Sequence, residues 1–182
     1  NALFPRGALF EQPQIRLARY GKWHAVDCLT ARQHKLFGPT GIMASLVIGM
    51  MINVPVRSLE FLAAVPAMNG HAPLWGQMLF AAMTSDVVIM NFLYMIAFMM
   101  ALRNVPWFPR FLLMVWGVDI ISQVSIAHFV SNAPNLPVPV GDAMGDLLSG
   151  NVKKVTISIA IWLPYLLLSD RVNLTYRGRL AA

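Results

Sequence analysis

Residues 77–131 read QMLFAAMTSDVVIMNFLYMIAFMMALRNVPWFPRFLLMVWGVDIISQVSIAHFVS. Two apolar segments, 77–102 and 109–131, flank a short basic connector, Arg103-Asn-Val-Pro-Trp-Phe-Pro-Arg110. Each segment exceeds the roughly 20 residues with which a helix crosses a hydrocarbon layer about 30 Å thick. Each also holds a carboxylate, Asp86 in the first and Asp119 in the second. An ionised side chain near the centre of a spanning helix costs about 2.5–3.5 kcal/mol on insertion scales. Two aspartates in adjacent helices must therefore be paired, protonated, turned toward protein, or used. The hairpin decides the fold class: an all-α integral membrane protein.

Outward from the hairpin, composition agrees. The 182 residues are 57% hydrophobic and 12% charged, against about 25% charged in soluble domains. The pattern gives four spans, at about 36–54, 77–102, 109–131 and 152–169, forming a four-helix bundle in one domain. A basic segment, 1–35, precedes it and a basic tail, 171–182, follows. The net charge of +6 follows membrane topology and does not point to nucleic acid. With both ends in the cytoplasm, eleven of the fourteen Lys and Arg residues lie on that side, which is the positive-inside arrangement. The first 35 residues lack a signal-peptide layout, and Asn1 implies that further residues precede it. The single cysteine, Cys28, excludes a disulfide framework within one chain. From Pro13 to Val26, basic residues alternate with Ile15, Leu17, Tyr20 and Trp23. That suits an interfacial helix on an anionic leaflet, or a basic arm that orders against a partner.

In the first span Gly41, Ser45 and Gly49 recur every fourth residue. Small residues at that spacing let helices approach closely in lipid, so this row is expected to pack against the hairpin, with a dimer face as the alternative. Residues 55–76, with Pro55, Pro66 and Pro73, read as a non-spanning connection whose ionised groups are Arg57 and Glu60. A short surface or re-entrant helix fits 56–65. Residues 132–150, rich in Pro and Gly, read as an irregular loop with a short helix at 142–149. Asp142 and Asp146 there suit a solvated acidic face better than a cation site. The Met-rich second span suits adaptable packing better than copper binding, because no His or Cys stands beside it.

Depth at about 1.5 Å per residue places Asp119 and Asn91 in one layer, about 15 Å from the connector side. Asp86 and Gln123 form a second, about 21–24 Å in. Asn91 is thus the expected partner of Asp119, and Gln123 that of Asp86. The pairs read first as clamps holding spans two and three in register, and second as a proton or cation path. His128 falls on the opposite side of its helix from Asp119, near the membrane surface. It reads as an interfacial histidine, with pigment or haem ligation as a further reading. No Gly-x-Ser-x-Gly elbow, His-Glu-x-x-His pair or Cys/His metal spacing occurs, so neither catalytic residues nor a metal site nor any other cofactor is expected.

Near the end, Ile161-Trp-Leu-Pro-Tyr-Leu-Leu-Leu-Ser-Asp-Arg-Val172 leads into Asn-Leu-Thr-Tyr176. Together with Phe108-Pro109-Arg110 and the Asp119 span, this resembles the bacterial inner-membrane family called domain of unknown function 2569. That family usually has Phe where Tyr176 stands, and its likeness covers about 36–176 but not the basic segment. The resemblance implies four spans and an inner-membrane location, and carries no activity or site. Physically, Trp162 and Tyr165 flank a kink at Pro164, and Ser169 and Arg171 sit where the helix leaves the membrane. The expected role is a non-enzymatic accessory or assembly subunit of a larger bacterial membrane complex, touching lipid and other membrane subunits. A small proton- or cation-coupled transporter using Asp86 and Asp119 is the alternative.

Overall fold

The computed structural model describes residues 23–65 and 73–181. Most of the basic N-terminal segment lies outside the described residues, so the interfacial helix expected there concerns this structure only at its end. The order is β1 (Trp23–Ala25), α1 (Cys28–Gln33), α2 (Ile42–Ala64), α3 (Leu74–Leu102), α4 (Phe108–Asn132), α5 (Val138–Leu168), α6 (Asp170–Arg177) and β2 (Arg179–Ala181). Helices α2 to α5, four in all, are long and apolar enough to cross a membrane.

Two boundaries differ from expectation in ways that matter. The first span does not stop at Val54. Helix α2 continues through Pro55 to Ala64, so 56–64 is neither a loop nor a separate surface helix. A proline deletes one backbone hydrogen bond, a loss that membrane helices tolerate when neighbours compensate. Here the extra turns carry Arg57 into the bundle, where carboxylates on two other helices receive it. Helix α5 likewise absorbs most of the stretch read as irregular, starting at Val138 and running unbroken to Leu168. Pro139 falls in its first turn, where an N–H has no intrahelical partner anyway. A buried face of Met144, Leu148 and Val155 holds the glycine-rich part helical.

The hairpin between α3 and α4 turns on a defined cap. Asn104 takes positive φ (53°), with Val105 N–H donating to Met100 O at 3.0 Å and Asn104 N–H to Ala101 O at 3.2 Å. This paired pattern is a Schellman motif, which satisfies helix-end carbonyls before Pro106 prevents continuation.

The C-terminal residues do not form a free tail. Helix α6 folds back against the bundle, burying Val172, Asn173, Leu174, Thr175 and Tyr176. The Tyr176 ring stacks at a tilt on Phe108, centroids 5.0 Å apart, and its hydroxyl donates to Ala101 O at 2.9 Å. Asn173 Nδ2 donates to Leu167 O and Ser169 O at 3.2 and 3.0 Å, satisfying carbonyls where α5 ends. Asn173 is only 1% exposed, which rules out this Asn-Leu-Thr as a glycan acceptor. Gly178, in the left-handed region (φ 58°), ends α6 and turns the chain into β2. That strand pairs antiparallel with β1, with Trp23 opposite Ala181 and Ala25 opposite Arg179. The ribbon ties the start of the described chain to its end, a contact no local pattern announced.

Helix α2 packs on α3, α3 on α4, and α4 on α5. The interior has two apolar cores. The one nearer α6 gathers Met43, Leu46, Val47, Met50, Met90, Tyr94, Phe108, Leu112 and Trp116, among others. The one at the opposite end holds Ala64, Leu79, Met83, Ile126, Val130, Met144 and Leu148. Between them lies a layer of charge.

The small-residue row on α2 is not part of either core. Gly41, Ser45 and Gly49 are exposed, and a Cβ built on Gly49 meets nothing within 4 Å. The expected packing of this row against the hairpin is therefore incorrect. The inward stripe of α2 is instead Met43, Leu46, Val47 and Met50, because filling the gap to α3 takes volume that glycine lacks.

Candidate functional site: a buried charge triad

On α3 the buried stripe is Leu79, Met83, Asp86, Met90, Tyr94, Ala97 and Ala101; on α4 it is Phe108, Leu112, Val115, Asp119, Gln123, Ile126 and Val130, with Trp116 beside it. Both stripes step by three and four residues, the spacing that keeps one helical face inward. Antiparallel pairing of the two brings Asp86 level with Gln123 and Tyr94 close to Asp119.

Arg57 reaches between them from α2. Its Nη1 donates to Asp119 Oδ1 and Oδ2 at 2.8 and 3.0 Å, and its Nη2 to Asp86 Oδ2 at 2.7 Å. Tyr94 Oη donates to Asp119 Oδ2 at 2.9 Å. Gln123 Nε2 donates to Asp86 Oδ2 at 3.0 Å, and Ser122 Oγ contacts Asp86 Oδ1. Arg57, Asp86 and Asp119 are 7%, 8% and 0% exposed. One planar guanidinium thus joins three helices, a task suited to Arg because its fork presents several donors in fixed directions.

The network extends toward α5. Asn151 Nδ2 donates to Gln123 Oε1 at 3.4 Å, and Lys154 Nζ to Asn151 Oδ1 at 3.5 Å. Lys154 also pairs with Glu60 of α2, tying α5 to α2. A narrow cleft in this half of the bundle is lined in part by Arg57, Glu60, Asp86, Gln123 and Asn151. It is sized for water, not for an organic molecule. Arg57 Nε faces no acceptor.

The structure thus brings together three of the four intramembrane polar residues read from the sequence and adds Arg57. Asn91 is not the partner of Asp119. Its Nδ2 donates to Ser58 Oγ at 2.9 Å, while Asp119 is taken by Arg57 and Tyr94. Asp86 and Gln123 do meet, but Asp119 takes a cation and a phenol in place of Asn91, because α2 runs on through Pro55 and carries Arg57 into the bundle. The signal that points to Arg57 is electrostatic: two buried carboxylates need a cation, and Arg57, two residues past that proline, is the one arginine that the positive-inside count leaves on the side away from the connector.

The remaining candidates lie apart from the triad. His128 is exposed on α4, its ring beside Asn132 one turn on. Among the described residues no group of three His, Cys, Asp or Glu side chains is placed to hold a metal ion. Trp162 and Tyr165 meet edge to face, 5.8 Å between centroids, around Pro164 inside α5. Ser169 is the junction of α5 and α6 and makes no side-chain cap. Arg171 donates to Gly38 O at 3.4 Å and contacts Thr40, fastening α6 to the entry of α2. Gly38 N–H in turn donates to Thr175 Oγ1 at 3.0 Å. Nearby, burial holds the His34 imidazole below its ordinary pKa, with Asp170 opposing that shift; His34 Nδ1 accepts from Leu36 N–H at 3.1 Å.

No protein-family model, curated protein or solved structure matches this chain.

Proposed function

We propose that the protein is a non-enzymatic membrane subunit that supports the assembly of a larger complex in a bacterial inner membrane, with both termini in the cytoplasm. The observation that carries this reading is the closure of the triad. Every oxygen of Asp86 and Asp119 already faces a hydrogen-bonding side chain, so the most charge-dense place in the bundle joins α2, α3 and α4. Such a bundle presents fixed outer surfaces. Ile48, Ile52 and Leu59 on α2 and Ile157 and Ile161 on α5 are exposed and apolar, suited to lipid or to neighbouring helices. The likeness of residues 161–176 to the four-span inner-membrane family supports the location, as does the gathering of Lys and Arg toward the end that carries α6.

The test is photo-crosslinking from side chains placed at Ile52 and Ile157 in native membranes, followed by identification of attached chains. Discrete adducts with another membrane protein are expected. A chain that stays monomeric and free of protein adducts, while lipid adducts form, overturns the proposal.

A second reading, coupling to a proton or cation, is favoured by one observation: the water-sized cleft reaches Asp86.

A further inference from the structure

The two ends of the bundle differ in charge. Tyr176 seats α6 on the α3–α4 turn, and Arg171 and the terminal ribbon fasten it to the entry of α2 and to the segment before α1. Among the described residues this end holds seven Lys and Arg residues against two carboxylates, Asp27 and Asp170. Beyond the triad, the other end sets Lys153 and Lys154 against Glu60, Asp142 and Asp146. Some of the seven cations are used inside the fold: Arg171 holds Gly38 O, and Arg177 donates to Asn173 Oδ1 at 3.0 Å. Arg103 and Arg110, on either side of the turn, are exposed. Among the described residues neither pairs with a carboxylate.

What lies beneath these two arginines is the same on both helices. Arg103 closes α3, and steps of four, four and three residues back along it reach Met99, Met95 and Phe92, all exposed. Arg110 stands in the first turn of α4, and steps of four, four and three forward reach Met114, Val118 and Ile121, all exposed. Those spacings keep each row on one helical face. Eleven residues from the arginine to the end of its row rise about 16 Å, half of a hydrocarbon layer about 30 Å thick. Each arginine therefore caps an apolar strip one leaflet long. Trp107, in the turn between them, is exposed as well, an aromatic suited to the headgroup level.

We infer that the α3–α4 hairpin holds two anionic phospholipids, one on each row. A guanidinium fork takes the headgroup phosphate, the acyl chain lies along the methionine-containing strip, and the Trp107 ring sits between the two headgroups. The charge of this end selects the lipid. A choline headgroup brings its own cation toward an excess of five positive charges, whereas a glycerol headgroup brings none, and anionic lipids are attracted by clustered Lys and Arg.

The experiment is native mass spectrometry of the full chain released from bilayers of equal phosphatidylcholine and phosphatidylglycerol, counting the lipids that stay bound. The wild type should retain two phosphatidylglycerol molecules in preference to phosphatidylcholine. Arg103→Gln and Arg110→Gln should each release one of them, and the double variant should lower the preference by about fivefold for each arginine removed. Both side chains are exposed, so the melting temperature in detergent should not change. Lys153→Gln removes an exposed cation at the other end and should leave the preference as it was. Inorganic phosphate and glycerol phosphate, which have no chain to lay on the rows, should not displace the lipid. Equal retention of the two lipids by the wild type overturns the inference. So does a preference that survives in the double variant, one that falls as far in Lys153→Gln, or displacement by soluble phosphate, which would mark a site for the free anion.

Discussion

Replacing Arg57 with Met tests what the triad does for the fold. The substitution keeps most of the apolar stem and removes three donor contacts, at 2.7, 2.8 and 3.0 Å. Two magnitudes compete. If the contacts act as ordinary interhelical hydrogen bonds, each contributes about 0.6 kcal/mol in a membrane, for a total near 2 kcal/mol. If the cation is what allows two carboxylates to remain inside, its removal leaves buried charge unpaired and costs about 3–5 kcal/mol. The second should dominate, because Asp119 is 0% exposed and Asp86 8%, leaving little water to replace Arg57. Equilibrium unfolding in mixed micelles, with SDS mole fraction as the denaturant, measures the loss. The variant Arg57→Met/Asp86→Asn/Asp119→Asn, with no charge left to bury, should recover most of the stability. A loss under about 1 kcal/mol for Arg57→Met, or a triple variant no better than the single one, refutes the reasoning.

Three further outcomes follow from the same structure. Tyr176→Phe should cost about 1 kcal/mol through its lost bond to Ala101 O, and Tyr176→Ala about 3–5 kcal/mol as the space against Phe108 empties; thermal melts in detergent distinguish these from a dispensable tail, for which both would be silent. Gly49→Leu, on an open surface inside α2, should not lower monomer stability and should raise it by up to about 1 kcal/mol, so a smaller native assembly without loss of monomer stability would locate a contact there. His34 supplies a pH dependence. Burial lowers its pKa in the fold, so the folded chain favours the neutral ring; that contribution is present above the unfolded value near 6.5 and is lost as pH falls through the window below it. Melting temperature should therefore decline on acidification from about pH 7.5 to about 5.5 more steeply for wild type than for His34→Gln, and equal slopes would show that His34 contributes nothing.

The sequence by itself determined the membrane class, the α3–α4 hairpin and the depth of its aspartates. Length and apolar continuity are local properties, and a turn of eight residues between two spans leaves antiparallel packing as the simple arrangement. It also determined that Asp86 and Gln123 share a level, because helical rise converts residue number into depth. Tertiary structure decided the rest. Pro55 and the glycines of 141–150 are local breakers, and only contacts with other helices kept α2 and α5 continuous past them. The fate of residues 170–181 was invisible for the same reason: their partners, β1, Gly38, Ala101 and Phe108, lie some 65 to 160 positions away in the chain. Charge is the clearest case. The sequence supplied two carboxylates that required a partner and an arginine that appeared to be outside, and the bundle brought them together because leaving any of the three alone in an apolar interior costs more than joining them.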